Sequence, residues 1–138
     1  MSNNLAFEQK LRSSGLRPTK QRIVICNFLF NRKNTFHFTI NDLNTALNNI
    51  SQKKISLATI YNTIHAFKKK GYLKEISINS DRTYFDTNVT NHHHFFDETN
   101  NNLIDIEDKH IERIKINKTI PGKKIQSVEG LIKVANNN

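Results

Sequence analysis

At 138 residues with a formal net charge of +9, the chain suits one ordinary domain or two very small ones. Its 36% hydrophobic content, including 9 Phe and 3 Tyr, suffices for compact cores and argues against wholesale disorder. No apolar run approaches the ~20 residues that span a bilayer and no secretory h-region opens the chain, so a soluble cytoplasmic protein is expected. Cys26, the lone cysteine, excludes an intramolecular disulfide framework and any CxxC zinc knuckle.

The charge is lopsided. Residues 1–85 hold 14 Lys/Arg against 4 Asp/Glu, a net of +10, while residues 86–138 hold 7 against 8, a net of −1. A basic front joined to a near-neutral rear points to one part that meets a polyanion and another with a different task. No basic amphipathic helix with a strong apolar face is present to favour a membrane surface over nucleic acid.

Four helical patterns come first. Leu5 to Ser13 suits a short helix stopped by Ser14-Gly15. Thr19 is a natural N-cap for a helix to about Arg32, with Ile23, Phe28 and Phe30 apolar. Thr39 caps a third, in which Ile40, Leu43, Ala46, Leu47 and Ile50 recur at three-four spacing. Ser56 caps the fourth, with Leu57, Ile60, Ile64 and Phe67 in one stripe. Lys68-Lys69-Lys70 suits its negative end, and Gly71 its C′ position.

The period then changes. Tyr72–Ile78 and Arg82–Phe85 read as two strands about an Asn79-Ser80-Asp81 turn. Three helices, a longer fourth and a hairpin make a winged helix. Short strands follow at His92–Phe96 and Leu103–Ile106, then a helix over Glu107–Lys115 and a last strand over Ser127–Val134. The fold class is thus α+β: a winged helix-turn-helix domain over residues 1–86 and a small α/β domain over residues 87–138. A unit that small is marginal alone, and dimerisation is one remedy.

The Ser56–Lys70 segment carries the nucleic-acid signal. Opposite its apolar stripe lie Ala58, Thr59, Asn62, His65, Ala66 and Lys69. The alanines let a backbone approach a groove wall, and Thr59 and Asn62 are short enough to meet base edges or phosphates. Tyr61 flanks this face, and Ser56 and Thr59 stand at the anion-favouring helix start. Lys20 and Arg22, just after the Thr19 cap, can track the backbone or enter a minor groove, and the hairpin adds Arg82.

Asn91-His92-His93-His94-Phe95-Phe96 is the second signal. On a strand, His92 and His94 share one face and His93 takes the other. Imidazoles two apart can ligate a transition metal, or His93 can offer an axial ligand to haem. Asp86, Asp97, Glu98 and Asp105 flank the run and His37 lies upstream. Mixed imidazole and carboxylate ligands suit Zn²⁺, Fe²⁺ or Mn²⁺.

The chain resembles the ferric uptake regulator family over nearly its whole length. The resemblance rests on Gly15-Leu-Arg-Pro-Thr-Lys-Gln-Arg22, His37-Phe-Thr-Ile-Asn-Asp-Leu43, Ile55-Ser-Leu-Ala-Thr-Ile-Tyr-Asn-Thr-Ile64, Tyr84-Phe85-Asp86 and the His run. It implies a dimeric, metal-responsive transcription regulator with an N-terminal winged helix and a C-terminal α/β dimerisation domain. DNA contacts would fall on Lys20, Ser56, Thr59 and Tyr61, and the regulatory metal on His37, Asp86, His92, His94 and Asp105. A second family site, on Asn91, His93 and Glu112, is degraded here by the asparagine. Asp97 and Asn100 stand where the family's CxxC cysteines would be, which excludes a tetrathiolate zinc. That loss, the triple His before two Phe, and the ending from Ile120 to Val134 resemble the iron response regulator branch. The branch implies haem sensing through His92, His93 and His94.

The expectation is therefore a homodimeric regulator of iron and haem genes that binds double-stranded DNA at AT-rich inverted repeats and responds to haem or iron. The alternatives are a repressor sensing ferrous iron, zinc or manganese without haem, a structural RNA-binding protein, and a small metal-dependent hydrolase. Against an enzyme, the chain has no HExxH, GxSxG or P-loop.

Overall fold

Thr19, Thr39 and Ser56 each stand one residue ahead of a helix in the computed structural model, which describes residues 2–137. Their side-chain oxygens accept from the N–H groups of Arg22, Asp42 and Thr59, satisfying donors that the first helical turn leaves open. The helices so capped are α2 (Lys20–Phe30), α3 (Ile40–Ile50) and α4 (Leu57–Lys70), preceded by α1 (Ser2–Ser13). Helix α4 ends at Gly71, whose φ of 94° only glycine adopts at little cost. Its N–H bonds the Lys68 carbonyl while Tyr72 N–H reaches Phe67, a Schellman closure.

The chain divides into one unit that runs to Val89 and another that begins at Thr90. In the first, Phe7 and Leu11 of α1, Ile25, Cys26 and Leu29 of α2, Leu43 and Leu47 of α3, and Ile60, Ile64 and Phe67 of α4 form a single core. Thr63 is buried with them, and its hydroxyl donates to the Thr59 carbonyl at 2.7 Å. Two apolar positions assigned to the helical stripes lie outside this core: Leu57 is 49% exposed and Ile50 62%. Both are terminal residues of their helices, where the apolar arc has run past its packing partners. Burial pushes the Cys26 thiol up to about 12, so it is inert packing.

Strands β2 (Lys74–Asn79) and β3 (Arg82–Asp86) form the expected hairpin. A two-residue strand, β1 (His37–Phe38), joins the far edge of β3, pairing His37 with Asp86 and Phe38 with Phe85. The sheet order is β1-β3-β2. Thr87 Oγ1 accepts from the Phe36 N–H at 3.0 Å and extends that pairing by one bond.

The second unit is a sheet of order β5-β4-β6, built from β4 (His93–Asp97), β5 (Asn102–Ile106) and β6 (Leu131–Val134). β5 runs antiparallel to β4 and β6 runs parallel to it. The expected helix over Glu107–Lys115 is absent; only a 3₁₀ turn at Asp108–His110 forms. Ile114 and Ile116 are about half exposed, so the segment has no apolar face buried to hold a helix together. The last strand is shorter than the expected Ser127–Val134, because pairing with β4 starts at Leu131.

Candidate functional site

Strand β4 and the residue before it carry the His run, and alternation sorts it. His92 and His94 are both buried, and their Nε2 atoms lie 3.3 and 3.1 Å from the same Asp105 Oδ1 on β5. Asp105 is the cross-strand partner of His94, which is why the carboxylate falls under both rings. The ring centroids are 4.2 Å apart. One ligand atom each from His92, His94 and Asp105 lies within 4.8 Å of the others.

The tautomer of His92 follows from its other nitrogen. Nδ1 lies 2.7 Å from the Thr90 carbonyl, which can only accept, so Nδ1 carries the proton. In the neutral ring, Nε2 then carries the lone pair and faces a carboxylate oxygen. Such a convergence of electron pairs is relieved by a cation among them, and an imidazole that donates its far N–H to a backbone carbonyl is the usual orientation of a metal-bound histidine. The donor set fits a borderline divalent ion.

His93 faces the other way. Its Nδ1 accepts the Gly130 N–H at 2.6 Å. A neutral ring that accepts at Nδ1 carries its proton on Nε2, leaving no lone pair for a metal or for haem iron. His93 therefore does not join His92 and His94. Glu112 borders a hollow of about 330 Å³ beside His93, lined otherwise by Asp108, Ile111, Arg113, Ile114 and Val128.

In the first unit, His37 and Asp86 are cross-strand partners, and the His37 ring meets Tyr84 edge-on at 6.3 Å. Asp86 is fully buried and accepts the Asn88 N–H at 2.9 Å. On α4, Ala58, Tyr61 and Asn62 are exposed, with Thr59, His65 and Ala66 half-buried. The Ser56 hydroxyl caps the helix and lies 2.9 Å from Thr59 Oγ1. Lys20 is exposed at the start of α2. Arg22 is half-buried and donates from Nη1 to the Arg17 carbonyl at 2.8 Å, so part of its guanidinium serves the α1–α2 turn. Arg82 is half-buried at the tip of the wing.

Residues 13–130 match the Ferric uptake regulator family. The chain belongs to the ferric uptake regulator family. The peroxide-responsive repressor PerR of Staphylococcus aureus is 32% identical over 105 residues, covering 76% of this chain and 69% of that protein. Among solved structures, the ferric uptake regulator of Pseudomonas aeruginosa with manganese aligns with a TM-score of 0.69 at 20% identity, covering 96% of this chain and 98% of that one. The Vibrio cholerae ferric uptake regulator aligns with a TM-score of 0.70 at 17% identity, covering 94% and 98%. These two likenesses establish the fold. Ferric uptake regulator family proteins are metal-responsive transcriptional regulators, not enzymes; they bind DNA and act as dimers. No helix among the described residues is long and apolar enough to cross a membrane.

The hydrogen bonding between Asp97 and Asn100 is a three-dimensional finding. Asp97 Oδ1 accepts the N–H groups of Thr99 and Asn100 at 2.9 and 3.2 Å, and Oδ2 accepts Asn100 Nδ2 at 2.9 Å. At the positions that correspond to the family's CxxC, the chain closes the turn with a carboxylate and an amide.

Proposed function

We propose that the chain is a homodimeric DNA-binding repressor that responds to a divalent first-row ion held by His92, His94 and Asp105. The observation that carries this reading is the approach of two imidazole Nε2 atoms to one Asp105 oxygen, at 3.3 and 3.1 Å. Bound there, Mn²⁺, Fe²⁺ or Zn²⁺ would accept electron pairs from the three donors. His37 and Asp86 complete the ligand set that family membership implies. Haem is less well served, because His93 is engaged with Gly130 and the other two rings are turned onto a carboxylate.

Helix α4 is the reading element, with Ser56, Thr59, Tyr61 and Asn62 at the groove and Lys20, Arg22 and Arg82 on phosphates. A dimer sets two such helices on the half-sites of an AT-rich inverted repeat. Dimerisation also suits the second unit, whose sheet buries only Phe96, Leu103 and Ile106 among its apolar residues while Ile104, Ile132 and Val134 stay exposed. The test is selection of duplexes from a random pool in Mn²⁺, Zn²⁺, anaerobic Fe²⁺, haem or chelator. Enrichment of one inverted repeat in a divalent ion supports the reading; enrichment in haem alone, or none in any condition, refutes it.

Peroxide response is a second reading of the same ion site, favoured by the 32% identity to the Staphylococcus aureus peroxide-responsive repressor. Release of the selected duplex by hydrogen peroxide from the Fe²⁺ form, but not from the Mn²⁺ form, separates it from simple ion counting.

A further inference from the structure

We propose that His65 is the positioning residue of the DNA contact: it holds the Tyr61 ring in its reading pose and couples that ring to strand β3. The inference rests on the function proposed above. Tyr61, half exposed on α4, lies one turn before His65, and the two rings pack at a tilt of 39° with centroids 4.3 Å apart. His65 also meets Phe85 in an edge-to-face contact, at 5.8 Å and 87°. Phe85 is buried and stacks at 6.0 Å on Phe38, its partner across β1 and β3. The next residue along β3 is Asp86, paired with His37.

Side chains alternate along a strand, so Phe85 and Asp86 project to opposite faces. Any shift of β3 that accompanies ion binding reaches Phe85 on the helix side. Phe85 bears on His65, and His65 bears on Tyr61. Packed aromatic rings cannot absorb such a displacement by deforming, so they pass it on. The imidazole also has no other evident task. Its Nε2 is buried without a hydrogen-bond partner among the described residues. A side chain selected for stability alone would be apolar here, since a buried unpaired nitrogen is unfavourable. What remains is the ring itself, in contact with both Tyr61 and Phe85.

The full-length wild type, His65→Ala and His65→Phe would be titrated by fluorescence anisotropy onto the inverted repeat selected by the wild type, in Mn²⁺ and in chelator. The readout is the ratio of the two Kd values. In His65→Ala the ratio should shrink by about fivefold or more, the low end of ordinary coupling between sites. His65→Phe, which keeps a ring in that contact, should restore it. Mn²⁺ affinity without DNA, measured by calorimetry, should be the same in all three, which mere loss of packing at the ion site would not allow. If His65→Ala fails to fold by circular dichroism, His65→Leu, which fills space without a ring, takes its place with the same expectation. A wild-type ratio in the Ala or Leu variant, or a Phe variant as uncoupled as Ala, overturns the coupling alone. A wild type that binds no duplex, or binds equally in Mn²⁺ and chelator, overturns it together with the proposed function.

Discussion

Gly130 and His93 are 37 residues apart in sequence, yet the Gly130 amide donates to His93 Nδ1 at 2.6 Å, locking the start of β6 against β4. The fit is tight. A Cβ at residue 130 would sit 3.0 Å from that same nitrogen, closer than carbon tolerates without displacement. Gly130→Ala should therefore destabilise the second unit by about 1–3 kcal/mol, the usual cost of overpacking. Urea denaturation gives the value. The double variant with His93→Ala should be less destabilised than the sum of the singles, because the clash disappears with the ring.

The same hydrogen bond separates His93 from its neighbours in the run. His92→Ala, His94→Ala and Asp105→Ala should each weaken Mn²⁺ or Zn²⁺ binding by about 100-fold or more, since each deletes a ligand rather than a supporting partner, whose loss alone gives about 10–100-fold. His93→Ala should leave both affinity and stoichiometry as they are. Calorimetry on untagged protein decides it, and a His93→Ala variant that loses the ion would move the site to the other face of β4.

The helices of the first unit were readable because their signals are local. Thr19, Thr39 and Ser56 announce helix starts through their own hydroxyls, and Gly71 announces a stop through its backbone freedom. The features that escaped depend on distant partners. Strand β1 is two residues long and exists only because β3 is beside it. The helix expected over Glu107–Lys115 has favourable residues but buries no apolar stripe. In the His run, alternation separated His93 from His92 and His94, but nothing near it in sequence points to Gly130. Asp105 was legible as a flanking acid; that one oxygen of it faces both rings is a fact of register.

Ser56 was expected at the DNA, and its hydroxyl already serves the helix. It accepts the Thr59 N–H at 3.1 Å and lies 2.9 Å from Thr59 Oγ1. Ser56→Ala should lower global stability by about 1 kcal/mol, as loss of an N-cap does. Ser56→Asp, which keeps the cap and adds a negative charge beside the phosphates, should hold stability near the wild-type value while weakening DNA binding. Thermal melts and anisotropy on the same two variants separate the cap from the contact.

Asp97 supplies the pH dependence. Its carboxyl is held below the usual range first by the Asn100 side-chain amide, then by the backbone N–H groups of Asn100 and Thr99. A carboxylate whose native pKa lies below its unfolded value of about 3.9 stabilises the fold in full above that pH, and the contribution is lost as pH falls through the native pKa. Asp97→Ala should melt lower than wild type at pH 7. The gap should close as both are acidified past the carboxylate range. Chelator should move neither melting temperature through this turn, because no thiolate is present to hold zinc there.

The DNA-contact assignments make unlike demands on salt dependence. Each phosphate neutralised by a cation contributes about −0.9 to the slope of log K against log salt. Lys20 is exposed at the start of α2 and carries only charge to the duplex, so Lys20→Ala should reduce that slope by about one and weaken binding to every sequence alike. Tyr61 is uncharged and packed on His65. Tyr61→Ala should leave the slope untouched and lower the affinity for the selected repeat more than for random duplex, because a ring against a base or its methyl group reads sequence while a lysine on a phosphate does not. Anisotropy titrations at four salt concentrations give both numbers. A Tyr61→Ala variant with an altered slope and undiminished preference would remove the tyrosine from the reading face and leave α4 as an electrostatic surface.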